Sequence, residues 1–131
     1  MTAFSPQTLY ELLGGAEGVR ALVDAFYDVM DRDPRAQEIR AMHPADLAES
    51  RDKLYEFLSG WTGGPALYHE RRGHPRLRFR HLPFPIGRDQ AAQWLYCMNV
   101  AIQERGIPPH VEERLMQGLT MTAHHMINRE E

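Results

Sequence analysis

Apolar side chains recur along this chain at spacings of three and four, the signature of helices with one buried face, and strand signals are missing. Val19, Leu22, Val23, Phe26, Tyr27 and Met30 form one stripe. It ends at Asp33-Pro34, because the residue before a proline is pushed out of the helical region. Leu47, Leu54, Phe57, Leu58 and Trp61 form a second, which begins after His43-Pro44, ends at Gly63-Gly64-Pro65 and has a gap at Ser50. The cleanest stripe is Ala91, Trp94, Leu95, Met98, Ala101 and Ile102, closed by Gly106 and Pro108-Pro109. A last helix starts near Pro109 and carries Val111, Leu115, Leu119, Ala123, Met126 and Ile127 on one face. A short first helix is expected from about Pro6, a residue tolerated in a first turn, to the Gly14-Gly15 pair. From about 63 to 88 the chain is rich in Gly, Pro and Arg and reads as a loop interrupted by a short helical segment. So long a loop in a compact helical protein usually has a task, such as wrapping a ligand.

These stripes predict an all-α fold in one domain spanning 1–131. A chain of 131 residues buries roughly two-thirds of its unfolded surface, enough for a real core. At 43% hydrophobic and 25% charged residues, nothing suggests disorder. No apolar run approaches the roughly 18 residues of a membrane span and no leader-like segment opens the chain, so a cytoplasmic protein without a membrane partner is expected. A single cysteine, Cys97, excludes an intrachain disulfide and suits a reducing compartment. The net charge of −3 argues against a general nucleic-acid binder, yet Arg71, Arg72, Arg76, Arg78 and Arg80 form a dense basic cluster that needs a partner or a solvated surface.

The most informative run is Gly73-His-Pro-Arg-Leu-Arg-Phe-Arg-His81, followed by Trp94-Leu-Tyr-Cys-Met98. With Tyr10-Glu-Leu-Leu-Gly-Gly15, Phe26-Tyr27, Phe57-Leu58, Gly63-Gly-Pro65 and Ala123-His-His125, it covers nearly the whole chain. In order and spacing these pieces resemble the group II truncated haemoglobins. The resemblance implies a two-over-two helical sandwich around haem b (iron protoporphyrin IX), with His81 as the metal ligand. A neutral imidazole from one side leaves the sixth position of the iron open to a diatomic gas. Arg80 and Lys53, the only lysine in the chain, would meet the propionates, and the basic cluster would find its partner there. Leu82, Phe84 and Leu54 would cover the porphyrin.

On the distal side the resemblance implies hydrogen-bond donors for a ligand that acquires negative charge. Tyr27 offers a hydroxyl and Trp94 an indole N–H. His43 is the third distal candidate, a titratable group with a reference pKa of about 6.5. The stretch from Arg35 to Pro44 also allows Met42 in that place, which would leave two donors. Ser50 would stand where animal globins carry their distal histidine.

Other histidines carry less. His124 and His125 are adjacent on a helix and point about 100° apart, so they cannot converge on one ion. Cys97 sits one position off the core stripe with no flanking base and reads as packing or a partly exposed thiol.

The function implied is reversible binding of dioxygen, and of CO and NO, for transport or storage, by a monomer or homodimer. The alternative is a haem-dependent redox enzyme, a nitric oxide dioxygenase or peroxidase, served by an external reductase. A haem-free helical module binding nucleic acid or an acidic protein through the basic loop would leave Tyr27 and Trp94 without purpose.

Overall fold

The computed structural model describes residues 7–129. Pro6, the expected start of the first helix, lies outside them. The first helix is a single turn, α1 (Leu9–Leu12), opened by a capping box in which the Glu11 N–H donates to Thr8 Oγ1 at 3.1 Å and the Thr8 N–H to Glu11 Oε1 at 3.0 Å. Gly14 follows in the left-handed region, φ 102°, and lets the chain double back into α2 (Gly15–Arg32). After Asp33, whose side chain accepts from the Arg35 N–H at 2.9 Å, come a 3-10 turn over Pro34–Ala36 and α3 (Gln37–Ala41). The sequence reading leaves this stretch without a helix, because five residues are too few to show a period.

Next come α4 (Ala48–Trp61), α5 (Leu67–Arg72), α6 (Leu77–His81), α7 (Arg88–Glu104) and α8 (Pro109–His125). The supposed loop from 63 to 88 therefore holds two short helices, of which only α6 was anticipated. Neither displays a repeat long enough to read.

α2 lies at the centre, packed on α7 and α4, and α7 packs in turn on α8. One pair, α2 and α4, thus meets another, α7 and α8, which is the two-over-two arrangement. From the stripes, Val19, Leu22, Val23, Phe26, Met30, Leu58, Met98, Ala101, Ile102, Val111, Leu115 and Leu119 are all sealed from solvent, and Val29 and Cys97, outside them, join the core. Trp94 and Leu95 of the α7 stripe are only partly buried, and so is most of the α4 stripe. Leu54, Phe57 and Trp61 pack against the core yet remain partly open.

Two glycines admit aromatic rings. A Cβ on Gly64 would lie 2.4 Å from the Tyr10 ring, and one on Gly118 would lie 2.7 Å from Trp61. Of the Gly63-Gly64 pair, only Gly63 carries the positive φ of a chain reversal, 101°. Gly64 is a seat for Tyr10, whose N–H donates to the Thr62 carbonyl at 2.9 Å.

Candidate functional site

His81 ends α6, and its Nδ1 lies 2.6 Å from the Leu77 carbonyl one turn back. A carbonyl only accepts, so Nδ1 carries the proton and the neutral ring presents a lone pair at Nε2. Among the described residues, Nε2 makes no hydrogen bond to the protein. This is the state of imidazole that binds a metal.

Tyr27 sits on the inner face of α2, 6% exposed. Its ring meets Phe26 edge-on at 4.9 Å, and Phe26 meets Trp94 of α7 at 4.9 Å, so one aromatic chain carries Tyr27, Phe26 and Trp94. His43, just beyond α3, lies edge-on to Tyr27 at 5.8 Å. Burial lowers the His43 pKa from its ordinary value, while Arg40 and His81 repel its charged form. His43 faces Tyr27 from the end of α3.

His43 Nδ1 lies 2.7 Å from the Ile39 carbonyl. The neutral ring then accepts at Nε2, and it donates there only when protonated. Burial also raises the Tyr27 phenol far above its ordinary value, with Arg51 opposing, so its hydroxyl stays protonated. The Arg51 guanidinium donates to Asp24 Oδ1 at 3.1 Å, to the Asp24 carbonyl at 3.1 Å and to Asp28 Oδ1 at 2.8 Å, and lies 5.8 Å from the centre of the Tyr27 ring.

Of the remaining candidates, Leu82 and Phe84 follow His81 and stand exposed at 48% and 39%. Leu54, Phe57 and Trp61 of α4 pack against the core and are only partly buried. Arg80 donates from Nε to the Pro75 carbonyl at 2.8 Å and keeps the ends of its guanidinium for another partner. Lys53 is exposed and paired with Glu49 one turn earlier at 2.9 Å.

Much of the basic cluster already has internal partners. Arg72 Nε donates to Glu56 Oε1 at 2.6 Å, and Arg71 Nη1 to Glu56 Oε2 at 3.3 Å. Arg78 donates to the carbonyls of His125 and Ile127, both at 2.8 Å. Glu56 is 3% exposed, a buried carboxylate the sequence reading passed over. Hydrogen bonding to Arg72 holds its pKa below the ordinary 4.5, against the opposing effect of burial.

Cys97 is completely buried, not partly exposed, and burial, aided by Asp33, pushes its thiol up to about 11. His124 and His125 are exposed on α8, and among the described residues no group of three or more His, Cys, Asp or Glu could hold a metal ion among themselves. The rings of Tyr27, Phe26, Trp94 and His43 thus form one group, while His81 has one ring nitrogen committed to Leu77 and the other uncommitted among the described residues. That imidazole suits a metal, and the exposed Leu82 and Phe84 beside it suit a flat apolar group that carries one.

Comparison with known proteins gives the same picture. The family model for bacterial-like globins matches residues 8–128. The group 2 truncated haemoglobin YjbI of Bacillus subtilis is 42% identical over 122 residues, covering 93% of this chain and 89% of that protein. Among solved structures, the group II 2-on-2 haemoglobin of Agrobacterium tumefaciens superposes with a TM-score of 0.92 at 42% identity, covering 98% of this chain and 100% of that one. The cold-adapted truncated haemoglobin of Pseudoalteromonas haloplanktis gives 0.91 at 44% identity, covering 95% and 100%.

Proposed function

We propose, for a chain that belongs to the bacterial-like globin family and within it to the group II truncated haemoglobins, reversible dioxygen binding at a five-coordinate, His81-ligated haem b. The observation that carries this reading is the Nδ1–H bond from His81 to Leu77, which commits one ring nitrogen and frees the other. A single, buried cysteine offers no pair for covalent attachment, which favours the non-covalent cofactor. When bound, the haem would supply an iron able to take up a diatomic gas reversibly.

The chain's own residues do the rest. Arg80 has guanidinium nitrogens left for a propionate, and Lys53 would exchange Glu49 for one. Leu54, Leu82 and Phe84 would help to exclude water from the group. Tyr27 would donate from its hydroxyl and Trp94 from its indole. His43 in its neutral form offers an acceptor at Nε2. Protonated, it becomes a further donor. A solved relative described as a truncated oxygen-avid haemoglobin, from Bacillus subtilis, supports a pocket that holds dioxygen strongly.

Absorption spectra of the haem-loaded protein in ferric, ferrous and oxygenated states, for the parent and His81→Ala, test this. A stable oxygenated spectrum that His81→Ala abolishes is expected. Haem uptake indifferent to His81 would overturn the reading.

A further inference from the structure

We infer that Asn128, beyond the end of α8, is a positioning residue for His81. The inference rests on the axial role proposed for that histidine. α6 is only five residues long, contains no buried residue and is not broadly packed by any other helix. So short a helix cannot hold itself, and its direction, hence that of the His81 ring, must be fixed by ties at its ends. At the N-terminal end, Arg76 takes the left-handed region, φ 47°, and its N–H donates to His74 Nδ1 at 3.0 Å.

At the C-terminal end the tie is Asn128. Its Nδ2 donates to the His81 carbonyl at 3.2 Å and to the Phe84 carbonyl at 2.9 Å, and its Oδ1 accepts from the Ile86 N–H at 3.0 Å. The Asn128 and Arg129 N–H groups both donate to the Ile86 carbonyl, at 2.8 and 3.1 Å. Arg78, from within α6, reaches the same tail at the His125 and Ile127 carbonyls.

The His81 carbonyl closes the helix: it accepts from the Phe84 N–H at 3.0 Å as well as from Asn128 Nδ2, so the carboxamide is the second of its two donors and ties it to the tail beyond α8. Fixing it fixes the last turn of α6, and the Nδ1–H bond to Leu77 then transmits that orientation to the ring. A carboxamide is required. It donates to two carbonyls and accepts from an N–H at once, whereas a carboxylate of the same shape keeps the acceptor and loses both donors.

Asn128→Ala and Asn128→Asp in the full chain, loaded with haem, test this by three readouts. These are the iron–histidine stretching band of the ferrous protein by resonance Raman, haem transfer to an apo-globin acceptor, and amide exchange at Ile86 without haem. In both variants the band is expected to shift and broaden and haem to leave about tenfold faster, from two lost hydrogen bonds. Protection of the Ile86 amide should fall in Asn128→Ala and persist in Asn128→Asp, which separates loss of the donors from loss of packing. A parent-like band and haem loss within about twofold in both variants would overturn the inference. His81→Gly separates the two readings. If its band disappears and added imidazole restores one, the axial role stands whatever Asn128 does; if the parent's band survives, both readings fall.

Discussion

Arg51 of α4 lies against the ring of Tyr27 on α2, 5.8 Å from its centre, and is held there by Asp24 and Asp28. One guanidinium thus joins two helices and faces the buried phenol proposed to meet the ligand. Both aspartates are well exposed, so solvent screens the ion pairs and their worth stays near that of surface pairs. Arg51→Met should cost about 1 kcal/mol of stability, measured by urea unfolding of the apo-protein. The phenol titration of Tyr27 should also move further upward, because the one charge opposing its shift has gone.

Replacing a distal donor should act on gas release more than on capture. A hydrogen bond to a charged acceptor is worth about 1.5–3 kcal/mol, so Tyr27→Phe or Trp94→Phe should speed dioxygen dissociation by about tenfold to a hundredfold. Stopped-flow displacement by CO measures it. Unchanged rates in both variants would remove these two residues from the distal site.

Protonation of His43 runs against folding. Its folded pKa lies below the ordinary 6.5, chiefly through burial, so the neutral ring is the form the fold favours. The associated stability is complete above pH 6.5 and declines as pH falls through the lowered value. An imidazole NMR titration should place the midpoint below 6.5, and His43→Leu should flatten that part of the pH–stability curve.

Glu56 behaves as a depressed carboxylate. Its contribution is present above the ordinary 4.5 and is lost as pH falls through the lower folded value. Arg72→Ala should cost about 2 kcal/mol near neutral pH by leaving a buried carboxylate to the weaker partner Arg71. The deficit should shrink in acid, which denaturant titrations at pH 7 and pH 3 resolve.

Gly64→Ala would place a methyl group inside the Tyr10 ring, 2.4 Å from its nearest carbon. A loss of about 1–3 kcal/mol is expected from overpacking. The double variant with Tyr10→Ala should cost less than the sum of the two single changes, which a double-mutant cycle reads directly.

Helices α2, α4, α7 and α8 were legible because each runs for at least three turns and its apolar positions land on one buried face. The resemblance put Tyr27 and Trp94 on one side of a shared group; in the structure the Phe26 ring lies between theirs, 4.9 Å from each. α3 and α5 were not legible. Each is five or six residues long and is held by contacts distant in sequence, such as Gln93 accepting from the Ile39 N–H at 3.4 Å and Glu56 receiving Arg72. Asn128 was invisible for the same reason: its partners lie more than forty residues earlier, and no local pattern announces them. The edge-on approach of His43 to Tyr27 is likewise a relationship between segments distant in sequence, which spacing alone does not carry.

The burial of Cys97 has a chemical outcome in the presence of oxidants. A thiol raised to about 11 and shut away from solvent is almost wholly undissociated near neutral pH. Sulfenic acid formation and alkylation both begin from the thiolate. The chain thus keeps its only sulfhydryl inert, and repeated exposure to oxygen or traces of peroxide should age the methionines, led by the exposed Met121, before it touches the cysteine.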